Sequence, residues 1–586
     1  MKTYDFDNLL DDNDIIFEGI KKHRKKQKKK DVKFKEKKHN TGKRKGINSK
    51  YYMYDNDFTI PCQSLKKKHK VILNIANESY MIDKNGITVK NDSEKTLFVS
   101  NVVPYVIKQI YEHNLNGETL SSILFKVHDK DMSPIKISAS NLTNSGYISN
   151  HLPHGVIIKD YYRFSTFIKY ISAQADLYNL YDHIGFTENI HGKPLYVHSG
   201  GVICSKKTHN TRSELNDGDL TLLKTNVDTD EIISCLDKIF DLEPSTTLML
   251  SFTLLSLCYS QYDQERPEFA FLLYGSSGTF KTSISTHIFN IFKEYYTSPP
   301  TNIKVATEAS LHRLMGRFKD CVLLVDDAAP SVSGNDETYK KCENIVRAVG
   351  DGTGKMVAGR DNKINVYKPS GLIAITGEFV PLRDTSSISR CIIYKLEKGC
   401  IDSKKLSNVQ QKKYIYVQFI IDYICWICDN KKEYIENITD LHRRYRNKFQ
   451  KKLSKIHSRF PDNIAWLYSG FEMFSQFLCK AYSVQSKKID QWYRIFETAI
   501  ECAIVENKTY LKQQNDAKLF IETLQNLINQ KQVDLVPIII KEKNKKSAIE
   551  NPTTIGYYDD TYVYLKPEIA YASTSKWLRN NIQSGY

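Results

Sequence analysis

Residues 275–282 read Gly-Ser-Ser-Gly-Thr-Phe-Lys-Thr, a glycine turn closing on a lysine and a threonine. Such a turn suits phosphate. Gly275 and Gly278 let the backbone of Ser276, Ser277, Thr279 and Phe280 close around an anion, and a following helix adds its favourable N-terminal dipole. Lys281 would then reach the β- and γ-phosphates of a bound ATP as a mobile cation, and the Thr282 hydroxyl would ligate Mg²⁺. The flanks fit this chemistry, because the apolar run Phe269-Ala-Phe-Leu-Leu-Tyr enters the turn as a strand and Ser283 to Phe292 leaves it as a helix. Phe280 stands where the usual motif has glycine. At the opening of a helix it is expected in helical φ/ψ, with its ring turned away from the nucleotide.

Four further groups belong to the same chemistry. Cys321-Val-Leu-Leu-Val-Asp-Asp327 is an apolar run ending in two acids, the Walker B pattern of a buried parallel strand. Asp326 would hold Mg²⁺, and Asp327 would polarise the attacking water with a side chain one methylene shorter than the usual Glu. A third strand, Gly371-Leu-Ile-Ala-Ile-Thr-Gly, ends in Thr376, placed to contact the γ-phosphate or water. Before the next apolar run lies Asp384-Thr-Ser-Ser-Ile-Ser-Arg390, whose arginine could complete a neighbouring subunit's site, with Arg383 as its rival. Between these, Lys355 to Tyr367 reads as a hairpin whose tip carries Arg360 and Lys363; it is either a contact for single-stranded nucleic acid or a plain surface hairpin.

The elements that must position these groups alternate short apolar strands with helices from about Glu268, which predicts a parallel α/β sheet. Around this core the chain divides into five segments. Residues 1–50 form an acidic then lysine-rich tail, and residues 51–225 an α+β N-terminal domain with a hairpin at Asn85-Gly86 and a helix-like stretch from Tyr161 to Leu180. Residues 226–400 hold the ATPase core, 401–530 a helical region, and 531–586 a small winged-helix-like domain.

Composition excludes several classes. At 586 residues, with 41% hydrophobic and 26% charged residues, the chain is no short disulfide scaffold. Twelve cysteines form no paired framework and most lie in apolar runs, so a reducing, cytoplasmic location is expected. No apolar stretch reaches the roughly 18 to 20 residues of a membrane span, and the acidic start is not a secretory signal. The net charge of +17 is concentrated: residues 21–45 alone carry +13. That run is expected to be disordered and either to bind a phosphate backbone in a salt-sensitive way or simply to solubilise. Cys425-Trp-Ile-Cys428 sits in an apolar helix and reads as core packing. Arg443-Arg444-Tyr445-Arg446 reads as a solvated helix face, with a second sensor arginine or a DNA contact as the alternative.

In this order, Gly275 to Thr282, Asp326-Asp327, hairpin, Thr376 and Ser389-Arg390 resemble AAA+ ATPases of the MCM-like branch. More specifically, the chain resembles helicase-like proteins of phages, integrative elements and staphylococcal chromosome cassettes. Asp182-His-Ile-Gly-Phe, Pro194-Leu-Tyr-Val, Gly200-Gly-Val-Ile, Thr376-Gly-Glu378, Gly556-Tyr-Tyr and Tyr564-Leu-Lys-Pro-Glu568 are similar to further landmarks of that family. The resemblance, over roughly residues 65 to 586, implies a homo-hexameric ring that hydrolyses ATP between subunits and unwinds forked DNA by translocating on a single strand. The competing expectation is a nucleotide-gated DNA-binding or assembly ATPase that scarcely hydrolyses.

Overall fold

The computed structural model describes residues 51–53, 59–61, 70–90, 95–128, 132–188, 192–203, 210–215, 220–262, 265–292, 301–328, 337–358, 364–453, 457–538 and 553–582. Its centre is a parallel sheet in which Cys391–Lys395, Ala270–Tyr274, Ile373–Gly377 and Leu323–Ala328 lie side by side in that order. Residues 301–303 continue it at the far edge through a parallel bridge between Asn302 and Asp326. The first four residues of Cys391–Lys395 and every residue of Ala270–Tyr274 and Ile373–Gly377 are buried, as expected of strands covered on both faces by helices. From Ala270–Tyr274 the chain crosses to one side for three strands and then returns to the other side for Cys391–Lys395. The order therefore reverses beside Ala270–Tyr274, and in open α/β sheets such a switch point opens a crevice at the strands' carboxyl ends.

Helix Ser245–Ser256 lies in the middle of the core, apolar or small all round and buried at every position. Pro244 separates it from Thr229–Phe240, which Asp228 caps by accepting the Asp230 N–H. The core continues without a break into helices Lys413–Asp429, Lys431–Lys452 and Arg459–Phe477 and the first part of the 44-residue helix Ser486–Asn529. At ~1.5 Å per residue that last helix spans about 66 Å. Its far end packs Leu524 and Leu527 against Val533, against Ile555 of a three-stranded sheet and against Ala570 of the helix Pro567–Ile582. Cys425 and Cys428 are half-buried free thiols packed against the main core.

The N-terminal part is α+β. Strands Val71–Ile75, Glu78–Asp83, Gly86–Lys90 and Thr96–Ser100 form an antiparallel meander, with Gly86 at φ 121° in the turn after Asn85. A five-stranded mixed sheet follows, and both pack Tyr80, Phe125, Phe164 and Phe167 into one cluster. The helix starting at Tyr161 ends at Ser172, shorter than its sequence pattern suggests, and Leu177–Tyr181 is a strand instead. The turn at residues 173–176 breaks the helical run, and the next residues pair in parallel with Pro104–His113. A small antiparallel sheet, Gly185–Glu188, Pro194–His198 and Gly201–Ile203, belongs to the main core through Phe186 and Tyr196. Among the described residues no helix is long and apolar enough to cross a membrane.

Candidate nucleotide site

The glycine turn sits at the carboxyl end of the sheet. Gly275 leaves the strand with its N–H donated to the Gly377 carbonyl at 3.2 Å, and a Cβ there would run into the Leu396 carbonyl. Gly278 takes φ 81° with open space where a side chain would point. Thr279 is buried and donates its hydroxyl to the Ser276 carbonyl at 3.0 Å, closing the turn on itself. The helix Lys281–Phe289 then begins. Its far end is held rigidly: the buried Lys413 ammonium donates to the carbonyls of His287 and, at 2.5 Å, Asn290, while Tyr416 donates to that of Ile288 at 2.8 Å. A cation at a helix C-terminus is favourable, yet burial still pulls the Lys413 pKa down to about 7.

Phe280 differs from its sequence expectation. It caps the helix at φ 61°, ψ 21°, in the left-handed region where glycine costs nothing and a side chain costs roughly 1 kcal/mol. The residue is 38% exposed. Phe280→Gly is therefore expected to raise stability by about 1 kcal/mol, while Phe280→Ala, which keeps a Cβ at the same φ, gains nothing. Urea midpoints of the two variants check this, and an alanine variant as stable as the glycine one would contradict it.

Lys281 folds back on the turn, donating to the Ser276 carbonyl at 2.8 Å. Burial lowers its pKa, opposed by the charges of Glu378 and Asp326. Three groups from three elements meet beside it. The Thr282 hydroxyl donates to Asp326 Oδ1 at 3.0 Å, and the Thr376 hydroxyl donates to the same oxygen. Thr376 and Asp326 are buried, at 1% and 8% exposure. This pair of hard oxygen donors, a hydroxyl and a carboxylate held close together, fits Mg²⁺.

Asp327 is elsewhere. The strand bulges between Val325 and Ala328, Asp327 takes φ 67°, and its carboxylate receives the Lys304 ammonium at 3.0 Å and the Asn302 amide at 3.2 Å. Arg390 is buried within its own chain. Its guanidinium meets Asp351 at 2.7 Å, donates to the Ser386 carbonyl at 2.8 Å, and lies against Gly350, where a Cβ would collide with it. Arg459 shares Asp351 at 3.1 Å. Arg383 is exposed, its guanidinium 3.9 Å over the Tyr339 ring.

Arg360 and Lys363 lie outside the described residues, although the arms Lys355–Ala358 and Ile364–Tyr367 do pair antiparallel. In the Arg443 to Arg446 cluster Tyr445 is buried, Arg443 pairs with Glu265 and Arg446 with Asp462. Sequence reasoning gave no role to Asn302, Lys304 or Asp351. Thr301-Asn-Ile-Lys has no apolar run to announce an edge strand, and a lone aspartate after a helix carries no local signal.

The arrangement is a mixed α/β fold whose parallel sheet gathers a glycine turn with its lysine, a buried acid and a hydroxyl at its carboxyl end. No family model and no curated protein matches the sequence. In fold the chain is similar to a solved structure described as "SCCmec type IV Cch - active helicase", with a TM-score of 0.51 and 12% identity over 87% of this chain and 92% of that one. Two structures of the "NrS-1 C terminal region" overlap less well. One has a TM-score of 0.28 at 11% identity, over 72% of this chain and 80% of that one. The other has 0.26 at 12%, over 69% and 90%.

Proposed function

We propose that this chain is an ATP-dependent DNA helicase, a ring-forming AAA+ translocase on single-stranded DNA that serves replication of a mobile element or phage. The observation that carries this reading is the meeting of Thr282 and Thr376 on Asp326, behind the Lys281 turn, at the switch point of the sheet. Fold likeness to a solved helicase supports it. On ATP binding, Lys281 would exchange the Ser276 carbonyl for the β- and γ-phosphates, and the turn's backbone would hold the remaining charge. Thr282 and Asp326 would hold Mg²⁺, which when bound neutralises charge on the phosphates. Thr376 keeps Asp326 oriented.

In a homo-hexamer the residue acting in trans would be an arginine at the surface. Arg390 is committed to Asp351, so exposed Arg383 suits that role better on solvent access. Arg360 and Lys363 remain the proposed contacts to the DNA backbone.

A second reading, a nucleotide-gated DNA-binding protein with little turnover, draws on Phe280 in the cradle and on the Lys304 pairing of Asp327. Fork unwinding with ATP, run beside phosphate release with single-stranded DNA or RNA, separates the two. The helicase reading expects unwinding and turnover that DNA stimulates more than RNA. ATP and DNA binding without strand separation would leave only the switch.

A further inference from the structure

Asp327 occupies the position that should activate water, yet its carboxylate is spent on Lys304 and Asn302, both from the edge segment on the side away from the glycine turn. The bulge and the left-handed backbone aim it there, and its short side chain gives little reach to recover.

A different acid is better placed. The strand Ile373–Gly377 lies between the turn-bearing strand and the Asp326 strand, and its end is pinned to both. Gly275 donates to the Gly377 carbonyl at 3.2 Å, and the Glu378 N–H donates to the Ala328 carbonyl at 3.0 Å. Gly377 has no room for a Cβ, so this close approach fixes where the next residue emerges. Glu378 therefore leaves the sheet two residues beyond Thr376, at the mouth of the cradle, with an exposed side chain. Among the described residues no hydrogen bond or ion pair engages its carboxylate. Of the two acids whose charge steadies the Lys281 ammonium, Glu378 acts more strongly than Asp326.

We infer that Glu378, rather than Asp327, orients the water that attacks the γ-phosphate and takes its proton. The assignment rests on the ATP-hydrolysing reading above. The water oxygen forms a bond to the γ-phosphorus while the bond from that phosphorus to the β–γ bridging oxygen breaks. The bridging oxygen leaves with the electron pair as part of ADP. One proton of the water passes to the Glu378 carboxylate and from there to solvent, leaving ADP and inorganic phosphate. Asp327, paired with Lys304, instead holds the edge segment onto the Asp326 strand.

The test compares the full-length chain with Glu378→Gln and Asp327→Asn, measuring phosphate release at saturating ATP with single-stranded DNA and binding of a fluorescent ATP analogue. Glu378→Gln is expected to lower kcat by about 100-fold or more, with analogue affinity within about threefold, while Asp327→Asn loses less than about tenfold. Because Glu378 is exposed, the variant should unfold at the wild-type temperature. The reverse pattern, a hundredfold loss in Asp327→Asn with Glu378→Gln within tenfold of wild type, overturns the assignment. A wild-type chain that binds the analogue but releases no phosphate under any condition instead rejects the hydrolytic reading, and this assignment with it.

Discussion

Lys281→Ala is expected to leave a folded protein that no longer separates a DNA fork and whose ATP turnover falls by about 10²–10³-fold, equivalent to about 3–4 kcal/mol of transition-state stabilisation. The size follows from what the ammonium does in each state. Without nucleotide its charge is spent on the Ser276 carbonyl, a contact the turn can lose because Thr279 also closes onto that carbonyl, at 3.0 Å. With nucleotide it is the turn's one side-chain cation, in a site where burial already disfavours it and so strengthens its pull on an anion. The negative charges of Glu378 and Asp326 oppose the effect of burial on the ammonium, and alanine removes that ammonium altogether. Thermal unfolding should move by only a degree or two, since the ammonium's contacts to the Ser276 carbonyl and, at 3.3 Å, the Thr279 hydroxyl are partly exposed and together worth about 1 kcal/mol. Phosphate release, fork unwinding and melting, measured on wild type and variant together, decide the matter. Equal unwinding by the two proteins would remove the nucleotide from the mechanism.

How much of this was legible beforehand depended on whether a feature announces itself locally. The turn, the Asp326 strand and the Thr376 strand each carry a local pattern, and their fixed order already implied a shared sheet edge. The direction of Asp327 was not readable. It is set by a bulge whose cause lies in pairing with residues 301–303, about 25 positions upstream and without apolar signal. Phe280 departs from its expected helical φ/ψ because sequence gives the residue but not its φ, which here is the 61° that glycine usually supplies. Arg390 was legible as an arginine before a strand, but its burial against Asp351 depends on helix Glu337–Gly350 ending beside it, a tertiary fact. The N-terminal sheets were visible as alternation, while the joining of Gly185–Ile203 to the main core was not, because beside Phe186 and Tyr196 it uses backbone and polar contacts to residues 317–320 that carry no local signal, and one of those residues is a buried acid.

That residue is Asp320, and Asp320→Ala is expected to cost about 3–5 kcal/mol, a large share of what holds a domain folded. Asp320 is fully buried. Its carboxylate accepts the Ser260 N–H at 2.6 Å, the Ser260 hydroxyl at 2.7 Å and the Phe186 N–H at 2.8 Å, while its backbone carbonyl accepts the Tyr196 hydroxyl at 2.9 Å. Alanine would strand the buried Phe186 N–H and the part-buried Ser260 N–H and keep a side chain at φ 54°, where aspartate is better tolerated than most residues. The pH dependence gives an independent signature. Burial, outweighing Lys319 and the three hydrogen bonds, raises the Asp320 pKa to about 6 from an ordinary value of 3.8. Between those values the folded state holds a proton that the unfolded chain has released, so this group's contribution is greatest below about pH 4, falls as pH rises toward 6, and is flat above. The variant lacks that slope. Its urea midpoint should therefore fall further below wild type at pH 5 than at pH 7.5, by roughly 1 kcal/mol. A variant matching wild type at both pH values would mean that the small sheet is held to the core well enough by its apolar contacts, the Tyr196 hydroxyl on the residue-320 carbonyl and Lys319 on the Phe186 carbonyl, and that the carboxylate's three partners find water without loss.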